Sequence, residues 1–83
     1  MNKFKITGKI TKGYFHDKDE DGVIYMITLD KDGYEFPTKV ATQAQNDIIN
    51  NIGKEVLIKG QLRRYEGQTI LLAESIEETE EDW

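Results

Sequence analysis

The sequence predicts a small, mainly β domain of five strands with one short helix between the third and the fourth. Three observations carry this. Apolar and polar residues alternate at period two in several separate stretches, glycine-bearing turn sequences divide those stretches, and one segment alone changes to helical spacing. The chain has 83 residues, 37% of them hydrophobic, with no cysteine and one proline. A chain of this length buries only about 60% of the surface its unfolded form exposes, so it has one modest core and no room for a second domain. Neither a disulfide framework nor a cysteine-ligated metal supports that core, and packing must do so.

From Phe4 to Ile10, Phe4, Ile6, Gly8 and Ile10 lie on one side and Lys5, Thr7 and Lys9 on the other, which predicts a strand with one buried face. Gly13 to Gly22 reads as a polar loop, and Val23 to Leu29 as a second strand in which Tyr25 falls in the core set. Asp30-Lys31-Asp32-Gly33 is a hairpin signal. Tyr34 to Ala41 forms a third strand, with Pro37 pointing to an edge or a bulge. Without a bulge there, Tyr34 and Phe36 share the parity of Val40 and belong to the core; with one, they face outward. Thr42 to Ile52 predicts the helix: Thr42 and Gln45 have capping-box spacing, Ala44, Ile48, Ile49 and Ile52 follow a helical period, and Gly53 closes the segment. Glu55 to Tyr65 is a fourth strand with Val56, Ile58, Gly60 and Leu62 inward, Glu66-Gly67 a turn, and Gln68 to Ile76 a fifth strand.

No apolar run reaches the roughly 18 to 20 residues of a membrane span, and Met1-Asn2-Lys3-Phe4-Lys5 precedes no apolar stretch, so the chain reads as cytoplasmic. The net charge of −5 is unevenly distributed. Residues 77–83 hold five acids and no base, and Asp17-Lys18-Asp19-Glu20-Asp21 holds four acids and one base. What is left has 10 basic and 7 acidic groups, so the body is mildly basic and compatible with a nucleic-acid partner.

Five strands in this order, with a helix between the third and fourth, are the chain order of the OB-fold, a Greek-key barrel that binds oligonucleotides or oligosaccharides. The residues carry a closer resemblance. Gly53-Lys54-Glu55-Val56-Leu57-Ile58-Lys59-Gly60-Gln61-Leu62-Arg63-Arg64, followed by Leu71-Leu72-Ala73-Glu74-Ser75-Ile76, resembles strands four and five of bacterial and phage single-stranded-DNA-binding proteins. Ile6-Thr7-Gly8-Lys9-Ile10 is similar to that family's first strand, and the resemblance covers about residues 3 to 76. It implies an OB-fold domain over residues 1–76 that binds single-stranded DNA without sequence preference, in replication, recombination or repair.

Such binding needs a basic groove along the backbone and aromatic faces for the bases. Lys59, Arg63 and Tyr65 share the side of the fourth strand opposite its core set, and Arg64 and Tyr65 open the loop where OB-folds commonly hold ligand. Tyr34, Phe36 and Lys39 from the third strand and Lys9 and Lys12 from the first complete the candidate set. Residues 77–83 form an acidic tail whose end, Glu80-Glu81-Asp82-Trp83, is similar in kind to the acidic, aromatic-terminated tips with which that family recruits partner proteins. Three roles stand open for it: recruiting partners, solubilising the chain, or competing with nucleic acid. Asp17-Lys18-Asp19-Glu20-Asp21-Gly22 matches the opening of a calcium loop, but position twelve is Thr28 instead of glutamate, so a solvated acidic tip is expected and no metal or other cofactor. His16 is read as an exposed loop residue. With one histidine, one serine, no cysteine and no phosphate-binding loop, the chain lacks the parts of nucleophilic, P-loop and zinc-hydrolase chemistry and is not expected to be an enzyme. The second functional reading is an interaction module, an adaptor or inhibitor that grips a basic protein surface with its acidic loop and tail. DNA against RNA, and monomer against homo-oligomer, are left open by the sequence.

Overall fold

Every strand that alternation predicts is present, and one of them is far longer than the pattern suggests. The computed structural model describes residues 3–43 and 47–79. Its strands are β1 (Lys3–Asp19), β2 (Gly22–Lys31), β3 (Tyr34–Thr42), β4 (Glu55–Tyr65) and β5 (Gln68–Glu78), closed into a barrel in the order β1-β2-β3-β5-β4. β1 serves two neighbours: Lys3 to Lys9 pair with β4, and Lys9 to Asp19 pair with β2. Closure comes from a short parallel contact in which Val40, Ala41 and Thr42 of β3 meet Leu71, Leu72 and Ala73 of β5. Among the described residues, no helix is long and apolar enough to cross a membrane.

The stretch from Gly13 to Asp19, expected within a loop, is strand. Its alternation is hidden because register shifts fall between Ile10 and Lys12 and between Phe15 and Asp17, so Thr11 and His16 are the extra residues of two bulges. Each bulge exchanges the two faces of β1. Lys12 and Tyr14 therefore face outward, opposite Thr28 and Met26, while Gly13 lies inward opposite Ile27. Beyond the second bulge, Asp17 stands beside Ile24 and Asp19 beside Gly22. Gly22 has no substitute here: its φ is +118°, and a Cβ would fall 2.4 Å from the carbonyl oxygen of Thr42.

The helix expected over Thr42–Ile52 is, in the described residues, a 3-10 turn at Ile49–Asn51. Thr42 is buried and ends β3 instead of capping a helix, and Gln45, its supposed partner, lies outside the described residues. The turn has a local cause. Asp47 accepts hydrogen bonds from the backbone N–H groups of Ile49 at 2.8 Å and Asn50 at 3.2 Å, and Asn51 Nδ2 donates to the Asp47 carbonyl at 2.6 Å. Short polar side chains here compete with a helical ladder for the same backbone groups. Ile48 still does what its apolar spacing foretold, being fully buried in the barrel core.

That interior contains Ile10, Ile27, Leu29, Val40, Ile48, Val56, Ile58 and Ala73, with Tyr25 packed against it as expected. A second apolar cluster, Ile24, Ala41, Tyr65 and Ile70 with Leu72, lies on the other side of the sheet. Register proves the difference in side: Ile24 pairs with Ala41 and Ala41 with Leu72, whereas Val40, next to Ala41 in the chain, is interior. Leu62, expected in the core, is 38% exposed near the end of β4. Gly60, the glycine of the Gly-x-Leu motif, sits at a β4–β5 register shift where a Cβ would meet the Leu72 carbonyl oxygen at 1.9 Å. Glu77 and Glu78, read as the start of the tail, pair with Leu57 and Val56, and the Thr79 N–H donates to the Glu55 carbonyl at 2.9 Å. Glu80, Glu81, Asp82 and Trp83 lie outside the described residues.

Candidate nucleic-acid interface

On the outer face, cross-strand neighbours form rows. Lys12, Thr28 and Pro37 make one row across β1, β2 and β3; Tyr14, Met26 and Lys39 make the next. Tyr14 is 59% exposed, and Lys39 reaches toward β5, its Nζ 3.2 Å from Gln68 Oε1 and 5.8 Å from the centroid of the Tyr65 ring. A cleft opens at this junction, lined by Met26, Pro37, Lys39, Gln68, Thr69 and Ile70. The surface thus combines an open aromatic face, two lysines and a concave floor beside the β4–β5 turn.

Tyr14 and Met26 are the residues that sequence reading missed. Tyr14-Phe15 amid charged neighbours was a usable signal, but a segment read as loop has no face on which to place it.

The leading candidates are differently placed. Arg63 is committed within the chain: its Nη1 lies 2.6 Å from Asp21 Oδ2 and 3.3 Å from Asp19 Oδ1, its Nη2 2.9 Å from Asp19 Oδ2, and its Nε 3.3 Å from the Arg64 carbonyl. Tyr65 shares the outer face with Arg63, as parity foretold, but is only 8% exposed and packs with Ile24, Ala41 and Ile70. Its hydroxyl donates to Asp17 Oδ2, and His16, exposed at its bulge, meets its ring edge-on at 6.1 Å. The carboxylates of the calcium-like motif are therefore spent on Arg63 and Tyr65. Arg64 is exposed, with Nη2 3.2 Å from the Gly67 carbonyl in the turn.

These contacts shift the titration of all four groups. The Tyr65 hydroxyl, and then the Lys18 N–H, hold Asp17 below the ordinary aspartate value of 3.8. Asp19 is lowered chiefly by the hydrogen bond from Arg63 and then by the Asp21 N–H. Arg63 is raised by Asp19, and Tyr65 is pushed well above the usual tyrosine value of 10.0, chiefly because its hydroxyl donates to Asp17.

The remaining candidates are dispersed. No register shift occurs near Pro37, so Tyr34 and Phe36 keep the interior parity, yet they are 70% and 51% exposed. The reason is that β5 covers β3 only from Val40 onward, leaving this end of the β2–β3 hairpin beyond the barrel. Lys59 is exposed on β4 opposite Lys5 of β1, a separate basic spot. Lys9 is exposed between Asp30 and Glu55.

The closed five-strand barrel with β3 parallel to β5 and, among the described residues, a 3-10 turn between β3 and β4 defines this chain as an OB-fold domain. It is similar to a dimeric structure of the N-terminal domain of PriB protein from Thermoanaerobacter tencongensis, with a TM-score of 0.66 and 22% identity over 96% of this chain and 98% of that one. No family model matches the sequence, and no curated protein does.

Proposed function

We propose that the protein is a binding module for single-stranded nucleic acid, DNA in the first instance, acting without sequence preference in replication, recombination or repair. One observation carries the reading: the outer face of β1–β2–β3 sets exposed Tyr14 beside Met26 and Lys39, with Lys12 in the next row, along a cleft completed by Gln68, Thr69 and Ile70 of β5. Tyr14 supplies a stacking face and the cations meet phosphates, while the exposed aromatic pair Tyr34 and Phe36 lies on the other side of the β2–β3 hairpin, apart from this path. Fluorescence anisotropy with labelled oligothymidylate tests it. Tens of micromolar protein in low salt should bind, affinity should fall with salt, and Tyr14→Ala should remove the roughly 1–3 kcal/mol of one base stack. An absence of binding under those conditions overturns the reading.

The adaptor reading loses ground because Asp17, Asp19 and Asp21 are engaged within the chain. Recruitment of partner proteins by Glu80–Trp83 stays part of the proposal, tested by deleting residues 80–83. Because the PriB neighbour is dimeric, a homodimer belongs to it as well, tested by light scattering.

A further inference from the structure

Arg63, near the β4–β5 turn, is built into the fold, and its Nη1, Nη2 and Nε are all engaged within the chain. Nη1 and Nη2 face the carboxylates of Asp19 and Asp21, and Nε faces a backbone carbonyl. A phosphodiester offers a guanidinium the same partner as these carboxylates: two oxygens that share one negative charge and can accept both arms of its planar fork. The two acids come from the β1–β2 tip, forty-odd residues away in sequence, and the Asp21 side chain retains 39% of its exposure. The charge left over is negative, since two aspartates answer one arginine and Glu20 adds its field.

We propose that the β1–β2 tip is a built-in competitor for nucleic acid, Asp19 and Asp21 occupying on Arg63 the positions that backbone phosphates would otherwise take. The inference rests on the nucleic-acid reading above. In the resting protein Arg63 contributes nothing to binding, and the strand path runs over Lys12, Tyr14 and Lys39. Removing the aspartate charges turns Arg63 into a phosphate ligand and removes repulsion beside the cleft. The tip thereby sets the affinity of the whole face.

The experiment compares oligothymidylate binding by the wild type and by Asp19→Asn/Asp21→Asn across a salt series. The double variant should bind about tenfold more tightly at low salt, and its log–log salt slope should steepen by about 0.7 for one added contact to a single strand. Asp32→Asn/Glu35→Gln, an equal charge change on the other hairpin, should give a clearly smaller gain. Adding Arg63→Gln to the double variant should cancel the increase. Weaker binding, a gain no greater than that of the control, or a gain that survives Arg63→Gln overturns the competitor. If the wild type binds and the variant gains nothing, only this inference fails; if neither binds, the nucleic-acid reading fails with it. Should the double variant not fold, as judged by circular dichroism, Asp21→Asn alone carries the test with a smaller increase.

Discussion

Two acidic hairpin tips, Asp17–Gly22 and Asp30–Gly33, look alike in sequence and behave differently in the fold. The β2–β3 tip makes a local turn: Asp30 Oδ1 accepts the Gly33 N–H at 3.1 Å, and Asp32 and Gly33 take positive φ values of 55° and 83°. From it, Lys31 Nζ reaches Thr7 Oγ1 at 2.9 Å. The β1–β2 tip is instead tied by Asp17, Asp19 and Asp21 to Tyr65 and Arg63 of β4, over a buried apolar patch. The difference lies in what another strand delivers. Carboxylates spaced at alternate residues become a solvated tip or a clamp according to whether a cation and a hydroxyl arrive opposite them.

The largest expected effect separates the apolar supports of the two hairpins. Ile24→Ala, at a fully buried position beneath the clamp, should cost about 2–5 kcal/mol in urea unfolding, whereas Phe36→Ala on the exposed hairpin should stay within about 0.5 kcal/mol. Equal costs would show that the outer cluster is no second core.

Glycine gives the next contrast. Gly22→Ala meets the Thr42 carbonyl and a φ of +118°, and should cost about 2–3 kcal/mol; Gly33→Ala, with open space around it, should cost only about 1 kcal/mol for its left-handed backbone.

Smaller still is the effect of pH. Asp17 and Asp19 have folded values held below 3.8, so the stability they contribute is complete above that value and is lost as pH falls through their lowered folded values. Asp17→Asn/Asp19→Asn should flatten this acid limb of the stability curve. At the alkaline end the sign reverses. Tyr65 is raised, so its contribution is present below 10.0 and declines as pH rises beyond it. Spectrophotometric titration should show one of the four tyrosines ionising late, and Tyr65→Phe should remove that phase.

Much of the barrel is legible in residues 4–10, 23–41 and 55–76, because one face of each strand is buried and period two survives there. Gly60 is legible too, and so is the placement of Arg63 and Tyr65 on the side opposite the core set. Two bulges hid the second half of β1, since each inverts the parity on which a strand is recognised; Tyr14 went unnoticed with it. The aromatics Tyr34 and Phe36 show a different limit. Their parity was readable and their exposure was not, because exposure depends on how far β5 extends alongside β3.

By itself the sequence determined the number and order of the strands, the β2–β3 and β4–β5 turns and most of the residues that alternate toward the core, all of them consequences of short-range backbone geometry and apolar periodicity. Only the tertiary structure decided that Arg63 and Tyr65 meet Asp19, Asp21 and Asp17, that Tyr65 is buried, and that Tyr14, Met26 and Lys39 form a row. Those outcomes depend on the register of long-range pairings, and one residue of slip in β1 would turn each of its faces the other way.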